Sequence, residues 1–417
     1  MPAASPLPVL SVLPFVVMLL AIALCPLWLP HWWEPNRHKL LLSCVLGLPV
    51  VVLYLARSPH ALLTMGEEYV SFIALLAGLY VISGGIRLTG DLEATPVTNT
   101  AFLAIGSVLA SFLGTTGASM LLVRPLLQTN RERTRVTHTV VFFIFLVSNI
   151  GGLLTPLGDP PLFLGYLQGV PFRWTFRLWP QWVVAVLALL LAYFVWDSVL
   201  HAREPLAALR RDRMERTPLR LAGGLNGLWL LGVVAAVAFL RAPWREAAIA
   251  ALSGLSLWRT PRAIRRANGF TAYPILEVAA LFFGIFITMI PALEILRARG
   301  GELGVREPWQ FFWASGILSS FLDNAPTYLT FLALAQGLRL GNDVVGVPHD
   351  VLAALSAGSV FMGANSYIGN APNFMVKSIA EEARVRMPSF FGYMAYSGAI
   401  LLPLFAVITR LFFWTAP

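Results

Sequence analysis

Charge is scarce in this chain. Of its 417 residues, 30 are Lys or Arg and 21 are Asp or Glu, so only 12% are charged, about half the usage of a soluble globular domain. A chain that is 57% hydrophobic cannot clothe itself in charge. That excludes folds that need a solvated shell, and it excludes disorder and collagen-like or disulfide-rich designs. Cysteine is scarcer still. Cys25 and Cys44 are the only two, both in apolar stretches, with no metal motif or disulfide framework around them. Residues 1–7 lack a basic residue and the first apolar run is long, which argues for a retained first helix over a cleaved signal peptide. What remains is an all-α polytopic membrane protein.

The charges that are present are sorted. Twelve apolar segments stand out: 8–29, 40–56, 69–86, 98–128, 139–168, 180–200, 221–240, 247–258, 273–293, 309–338, 351–376 and 389–409. Within them only Arg124, Asp159, Asp197, Glu277 and Asp323 are charged. A charge at the centre of a bilayer costs several kcal/mol, so each of the five needs an account.

Ten segments read as full spans. Segments 98–128 and 309–338 are too long for one, and each has small polar residues at its middle: Gly114-Thr115-Thr116-Gly117-Ala118-Ser119 and Asp323-Asn324-Ala325-Pro326-Thr327. A straight helix of that length would measure about 45 Å, well beyond the hydrocarbon core. Each reads as a re-entrant hairpin of two half-helices meeting near the midplane. With both hairpins entering and leaving on one side, the loops alternate and the 30 Lys and Arg fall two to one. The richer side holds 31–39, 87–97, 124–138, 201–220, 259–266 and 377–388. The positive-inside rule assigns loops 124–138, 201–220 and 259–266 to the cytoplasm and both termini to the outside. The net charge of +9 thus reflects topology in a lipid bilayer and not a nucleic-acid partner.

The hairpins carry a self-match. Leu109-Ala110-Ser111-Phe112-Leu113-Gly114 aligns with Leu318-Ser319-Ser320-Phe321-Leu322-Asp323, and Leu157-Gly158-Asp159-Pro160-Pro161 with Ile368-Gly369-Asn370-Ala371-Pro372. Gly78 and Gly284 align at nearly the same offset. Equivalent spans run in opposite directions in the topology above, so the expectation is an inverted repeat. Its halves are 1–200 and 221–417, each of five spans and one hairpin, joined by a basic, solvated linker at 201–220. Such repeats build secondary transporters whose sites lie at discontinuous helices near the midplane.

Segments 139–168 and 351–376 carry the discontinuities. The first holds Ser148-Asn149-Ile150-Gly151-Gly152 and Thr155-Pro156-Leu157-Gly158-Asp159-Pro160-Pro161; the second holds Gly363-Ala364-Asn365-Ser366-Tyr367-Ile368-Gly369-Asn370-Ala371-Pro372-Asn373. Proline and glycine at this density cannot stay helical. The carbonyls they free are tolerable in a membrane only where they line a protein-walled cavity. Carbonyls with Asn, Ser, Thr and Asp oxygens are hard ligands, suited to Na⁺ or H⁺.

Arg124, Asp197 and Glu277 lie near the ends of their segments and read as interfacial; Glu277 is kept as an accessory candidate. Asp323 sits at a hairpin tip and Asp159 at the break of a spanning helix. Both can also cap the half-helix that follows. Two half-sites result. Thr115, Thr116 and Ser119 face Ser148, Asn149, Thr155 and Asp159; Asp323, Asn324 and Thr327 face Asn365, Ser366, Asn370 and Asn373. Two acids with no basic residue at the tips favour a cation over an anion, which would gain only helix N-termini. Desolvation favours the neutral form of a carboxylic acid, so an aspartate that holds either a proton or Na⁺ gives antiport by competition.

At these residues the chain resembles the sodium/proton antiporters of NhaD type. They belong to the ion transporter superfamily that also holds arsenite pumps and citrate or dicarboxylate carriers. The motifs are Thr115–Ser119, the Ser148–Pro161 stretch, Asp323-Asn324-Ala325-Pro326 and the Gly363–Asn373 break. The resemblance implies alternating access, ion sites at the tips and breaks, no cofactor beyond the transported Na⁺ and H⁺, a homodimer, and a bacterial inner membrane. Dicarboxylate carriers have Ser-Asn-Thr at both hairpin tips; here Ser148-Asn149 lies on the broken span instead. A carboxylate carrier and an arsenite transporter stand as alternatives. An intramembrane aspartyl protease, which also needs two membrane aspartates, lacks its Gly-x-Gly-Asp motif at Pro156-Leu157-Gly158-Asp159, and the chain is not read as an enzyme. Asp159→Asn and Asp323→Asn are each expected to abolish Na⁺-dependent proton flux while leaving membrane insertion intact; full flux in both variants would sink the antiport assignment.

Overall fold

The computed structural model describes residues 7–414 apart from Asn342. Residues 1–6 and 415–417, to which the topology gives the outer face, lie outside them. Each of the twelve apolar segments is helical, because a backbone in lipid can satisfy its N–H and C=O groups only within itself. Large side chains such as Leu41, Leu48, Leu55, Leu187 and Leu191 are exposed on the long helices; this is the surface that hydrocarbon would cover.

Eight helices among the described residues are long and apolar enough to cross a membrane. Seven coincide with expected spans, and the eighth is Pro96–Leu113, the first arm of the first hairpin. That arm starts ahead of the apolar run, because Pro96 fits the first turn and Thr95 caps it through Thr98 N at 3.1 Å. At 18 residues it reaches the length of a span by itself. Three expected spans fall short for separate reasons. Leu225–Phe239 has 15 residues, since a strand ends at Ala222. Trp244–Arg259 has 16 and opens with Arg245 and Glu246. The third, His349–Phe361, is interrupted before resuming at Ala371–Glu382.

Both hairpins break at their polar middles. Thr115–Thr129 follows Pro96–Leu113 through Gly114, whose φ of 77° suits glycine. Asn324–Leu338 follows Pro308–Ser319 through Asp323. The breaks in the spans also fall where glycine and proline cluster. Thr137–Leu146 gives way to a 3₁₀ turn, Ile150–Leu154, and then to Pro160–Leu167. His349–Phe361 gives way to Met362–Asn365 and then Ala371–Glu382. Thr137–Leu154 is 89% buried, against 22–56% for the other candidate spans, so the first broken helix is the axis of the bundle.

The two hairpin–break units share one hydrogen-bond pattern. Ser111 Oγ donates to the Gly151 carbonyl at 2.5 Å, and Thr155 Oγ1 donates back to the Ser111 carbonyl. In the other unit Ser320 Oγ donates to the Met362 carbonyl at 3.1 Å, and Ser366 Oγ donates back to the Ser320 carbonyl. Leu157 N and Ile368 N each donate to the hydroxyl two residues before them. These bonds satisfy the polar groups that the breaks release.

Contacts join several of the basic loops. Arg131 pairs with Glu215, Arg213 with Glu93 and Lys39 with Glu277, and Thr137 Oγ1 donates to the Arg386 carbonyl. Elsewhere Arg57 pairs with Glu294, and Gln168 binds Glu68 and Arg297. Segment 201–220, which reads in sequence as a solvated linker, is ordered. It forms a helix, Leu206–Met214, and most of a strand, Thr217–Ala222, which pairs antiparallel with Arg87–Asp91.

At the first break, a Cβ on residue 158 would run into the Gly152 carbonyl and lie 2.9 Å from its Cα. Gly158→Ala is therefore expected to cut folded yield and thermal stability sharply. Gly254→Ala, in an open helix position with nothing within 4 Å, should be neutral or stabilising by up to about 1 kcal/mol. Equal melting temperatures for the two variants would contradict this packing.

Candidate functional site

Asp159 is the residue on which the interrupted elements converge. It stands in extended conformation immediately before Pro160–Leu167 and is 2% exposed. Its Oδ1 accepts from Thr115 Oγ1 at 2.9 Å and from Asn370 Nδ2 at 3.0 Å, and its Oδ2 from Asn324 Nδ2 at 2.5 Å. The donors come from the first hairpin, the second broken helix and the second hairpin. All are neutral. No Lys, Arg or His side chain bonds to this carboxylate among the described residues.

Around it the amides interlock. Asn370 Nδ2 also reaches the Ser148 carbonyl at 3.1 Å and Asn149 Oδ1 at 3.3 Å. Asn149 Nδ2 donates to Asn373 Oδ1 at 2.7 Å, and Asn373 Nδ2 donates to the carbonyls of Gly363 and Ser366. The expected two half-sites are thus one network, joined where the two broken helices meet. Asn370, which aligns with Asp159 in the self-match, is bonded to it directly.

The other candidates divide by role. Ser119 and Ser148 bond each other at 2.9 Å beside the network. Thr155 and Ser366 are engaged with backbone at the breaks, as described above. Asn365 donates to Ser320 Oγ at 2.9 Å, and its buried Oδ1 has no hydrogen-bond partner among the described residues. Thr116 is partly buried and makes no hydrogen bond there. Asp323 caps its helix, accepting from Ala325 N at 3.0 Å, and Thr327 Oγ1 donates to the Asp323 carbonyl at 2.9 Å. Asp323 is partly exposed and does not share Asp159's donors. Glu277 lies apart from the network, paired with Lys39 at 2.6 Å.

Asp197 lies near the end of its helix, as the sequence suggests, but inside the protein. It is fully buried and paired with Arg133 at 2.7 Å; it also bonds His138 Nε2 at 2.9 Å and Asn99 Nδ2 at 3.3 Å. These partners are 59 or more residues away in sequence, so no local pattern announces them. The only signal is an Asp, an Arg and a His near the ends of successive segments.

A buried carboxylate ringed by amides and hydroxyls, at the junction of interrupted helices in an apolar bundle, defines a polytopic membrane transporter. Residues 4–413 match the family described as "Putative citrate transport", and the chain belongs to that family. It is similar to an uncharacterized transporter of Mycobacterium bovis and to one of Mycobacterium tuberculosis. Each is 26% identical over 375 residues, covering 82% of this chain and 85% of the relative.

Removing the Asp197 carboxylate leaves buried Arg133 only the more distant Glu204, at 3.9 Å, so Asp197→Ala is expected to cost about 3 kcal/mol, seen as a lowered melting temperature. Glu277→Gln should leave transport unchanged; its loss would bring Glu277 back into the site.

Proposed function

We propose that the chain is a cation-coupled secondary transporter working by alternating access, and that Na⁺/H⁺ antiport is its reaction. Asp159 exchanges the two cations, and Asp323 acts nearby while capping its helix. One observation carries the reading. Asn324 donates through its amide nitrogen to Asp159, and its buried Oδ1 has no hydrogen-bond partner among the described residues. A buried acceptor without a donor is costly. Na⁺ beside Asp159 would satisfy it, together with the carboxylate and Thr115 Oγ1, as a hard cation among oxygen ligands. A proton on Asp159 removes the charge that holds Na⁺, so the two compete for one group.

The shared hydrogen-bond pattern of the two hairpin–break units supports an inverted repeat, with 201–220 between its halves. The contacts that join the basic loops to one another support a single cytoplasmic face containing 124–138 and 201–220, and the bond from Arg265 to the Val81 carbonyl, just ahead of loop 87–97, supports placing 259–266 with them.

A second reading, carriage of a carboxylate such as citrate, has its own support. Four helices, beginning at Thr115, Pro160, Asn324 and Ala371, start around Asp159. Their N-termini present positive dipole ends to an anion; Pro160, Pro161, Pro326 and Pro372 carry no N–H there, and Thr115 N, Leu162 N, Ala325 N and Asn373 N are already bonded within the protein. The family's description points the same way. A dequenching assay in everted vesicles separates the two. Antiport predicts a pH change on adding Na⁺ or Li⁺ that disappears in Asp159→Asn. Labelled citrate uptake into proteoliposomes, with no Na⁺-driven pH change, would replace antiport by the carboxylate reading.

A further inference from the structure

Among the basic loops, a cavity of about 980 Å³ opens between the first hairpin and the second broken helix. Its lining includes Arg124, Arg131, Arg133, Arg384 and Arg386, with Glu382 as the acidic residue among them. The cavity lies at the far ends of Thr115–Thr129 and Ala371–Glu382. These are the helices whose first turns adjoin Asp159, through Thr115 and Asn370. It is therefore separated from Asp159 by roughly the length of a 15-residue helix, about 20 Å.

Topology accounts for arginines in these loops, but not for their convergence on one cavity. Nor does it account for the two that are left without an acidic partner among the described residues. Arg131 has Glu132 and Glu215, and Arg124 reaches Glu382 only at 3.9 Å. Arg384 and Arg386 have no side-chain partner among the described residues. Arg133 is 7% exposed, and its Nε is buried without a hydrogen-bond acceptor, 3.9 Å from Glu204. A buried donor left open in a basic cavity asks for an acceptor.

Arg384 adds a separate observation. It follows the end of Ala371–Glu382 at φ 64°, with Val385 N bonded back to the Ala380 carbonyl. That is the left-handed helix-end position where glycine is favoured. The backbone would accept glycine more readily, so what the position gains from arginine is its side chain.

We infer that this cavity binds an oxyanion, whose oxygens take the planar donor forks of Arg384 and Arg386 beside the open Nε of Arg133. The ligand is either a free anion, such as phosphate or a polycarboxylate, or the phosphate of a lipid headgroup. The site is distinct from the one at Asp159 and does not depend on the transport reading. Arg133 also pairs with Asp197, which holds His138 at the start of the first broken helix. An occupant of the cavity is thereby connected to the element that carries Asp159.

The test is the melting temperature of the purified full-length protein in detergent. Inorganic phosphate and citrate are titrated at ionic strength matched with chloride, and nanodiscs of phosphatidylglycerol are compared with nanodiscs of phosphatidylcholine. The wild type should be stabilised by at least one of these anions. A double variant, Arg384→Gly with Arg386→Gln, should need at least about tenfold more of it, since each charge-assisted hydrogen bond lost is worth roughly tenfold or more. Arg384→Gly alone should melt higher than wild type without anion, which separates lost binding from lost folding. Stabilisation by phosphate or citrate in detergent assigns a free anion; stabilisation only by phosphatidylglycerol assigns the headgroup. The inference is overturned if no anion stabilises the wild type or if the double variant responds equally. It is also overturned if the response is lost in Asp159→Asn but kept in the double variant.

Discussion

One buried carboxylate sets the terms for the rest of the structure. Asp159 is held by a hydroxyl and two amides from three separate elements, and none of those donors is charged. Removing a carboxylate from water costs several kcal/mol unless hydrogen bonds replace the water. The polypeptide must therefore bring polar side chains to a point surrounded by apolar helices. It does so by interrupting helices there, since an unbroken helix offers no free backbone and few short polar side chains. The hairpin tips, the glycine-lined breaks and the interlocked asparagines all follow from that requirement. The same bonds tie the hairpins to both broken helices, so a change in the state of Asp159 is felt by every discontinuous element at once.

The backbone at the breaks is as constrained as the side chains. Gly152 and Gly158 approach so closely that no side chain fits between them, and Gly363 and Gly369 repeat the arrangement. A Thr or Ser hydroxyl then closes each break onto its hairpin. Rigid breaks of this kind fix where the carboxylate and amides stand, and leave the longer outer helices to supply the apolar surface.

Much of this is legible in the sequence because the relevant signals are local. Apolar runs, a glycine or an aspartate at a polar middle, and proline clusters report helices and their interruptions without reference to distant residues. The site candidates Thr115, Asp159, Asn324, Asn370, Asn149 and Asn373 emerge that way, and they do come together. The bonds that join the two half-sites are not legible, because a residue's partner across the bundle leaves no local trace. Asn370 and Asp159 are 211 residues apart and bonded. The surroundings of Asp197 are hidden for the same reason. Nearness to a segment end suggests an interface, but only the fold brings Arg133, His138 and Asn99 around it. The arginine-lined cavity is hidden by its own abundance, since arginines in loops already have an explanation in topology. The strand at 217–222 is masked by the charge run that precedes it.

That strand has a consequence for how the chain is made. Thr89 and Arg220 are 131 residues apart and bonded across the ribbon, and Arg131 and Arg213 add ion pairs across the same gap. Until the ribosome has delivered residues 213–222, the strand at 87–91 has no partner and Glu93 and Arg131 lack Arg213 and Glu215. The segment at 201–222 is thus a clasp on what precedes it. Closure of the ribbon waits on residues made more than a hundred positions later.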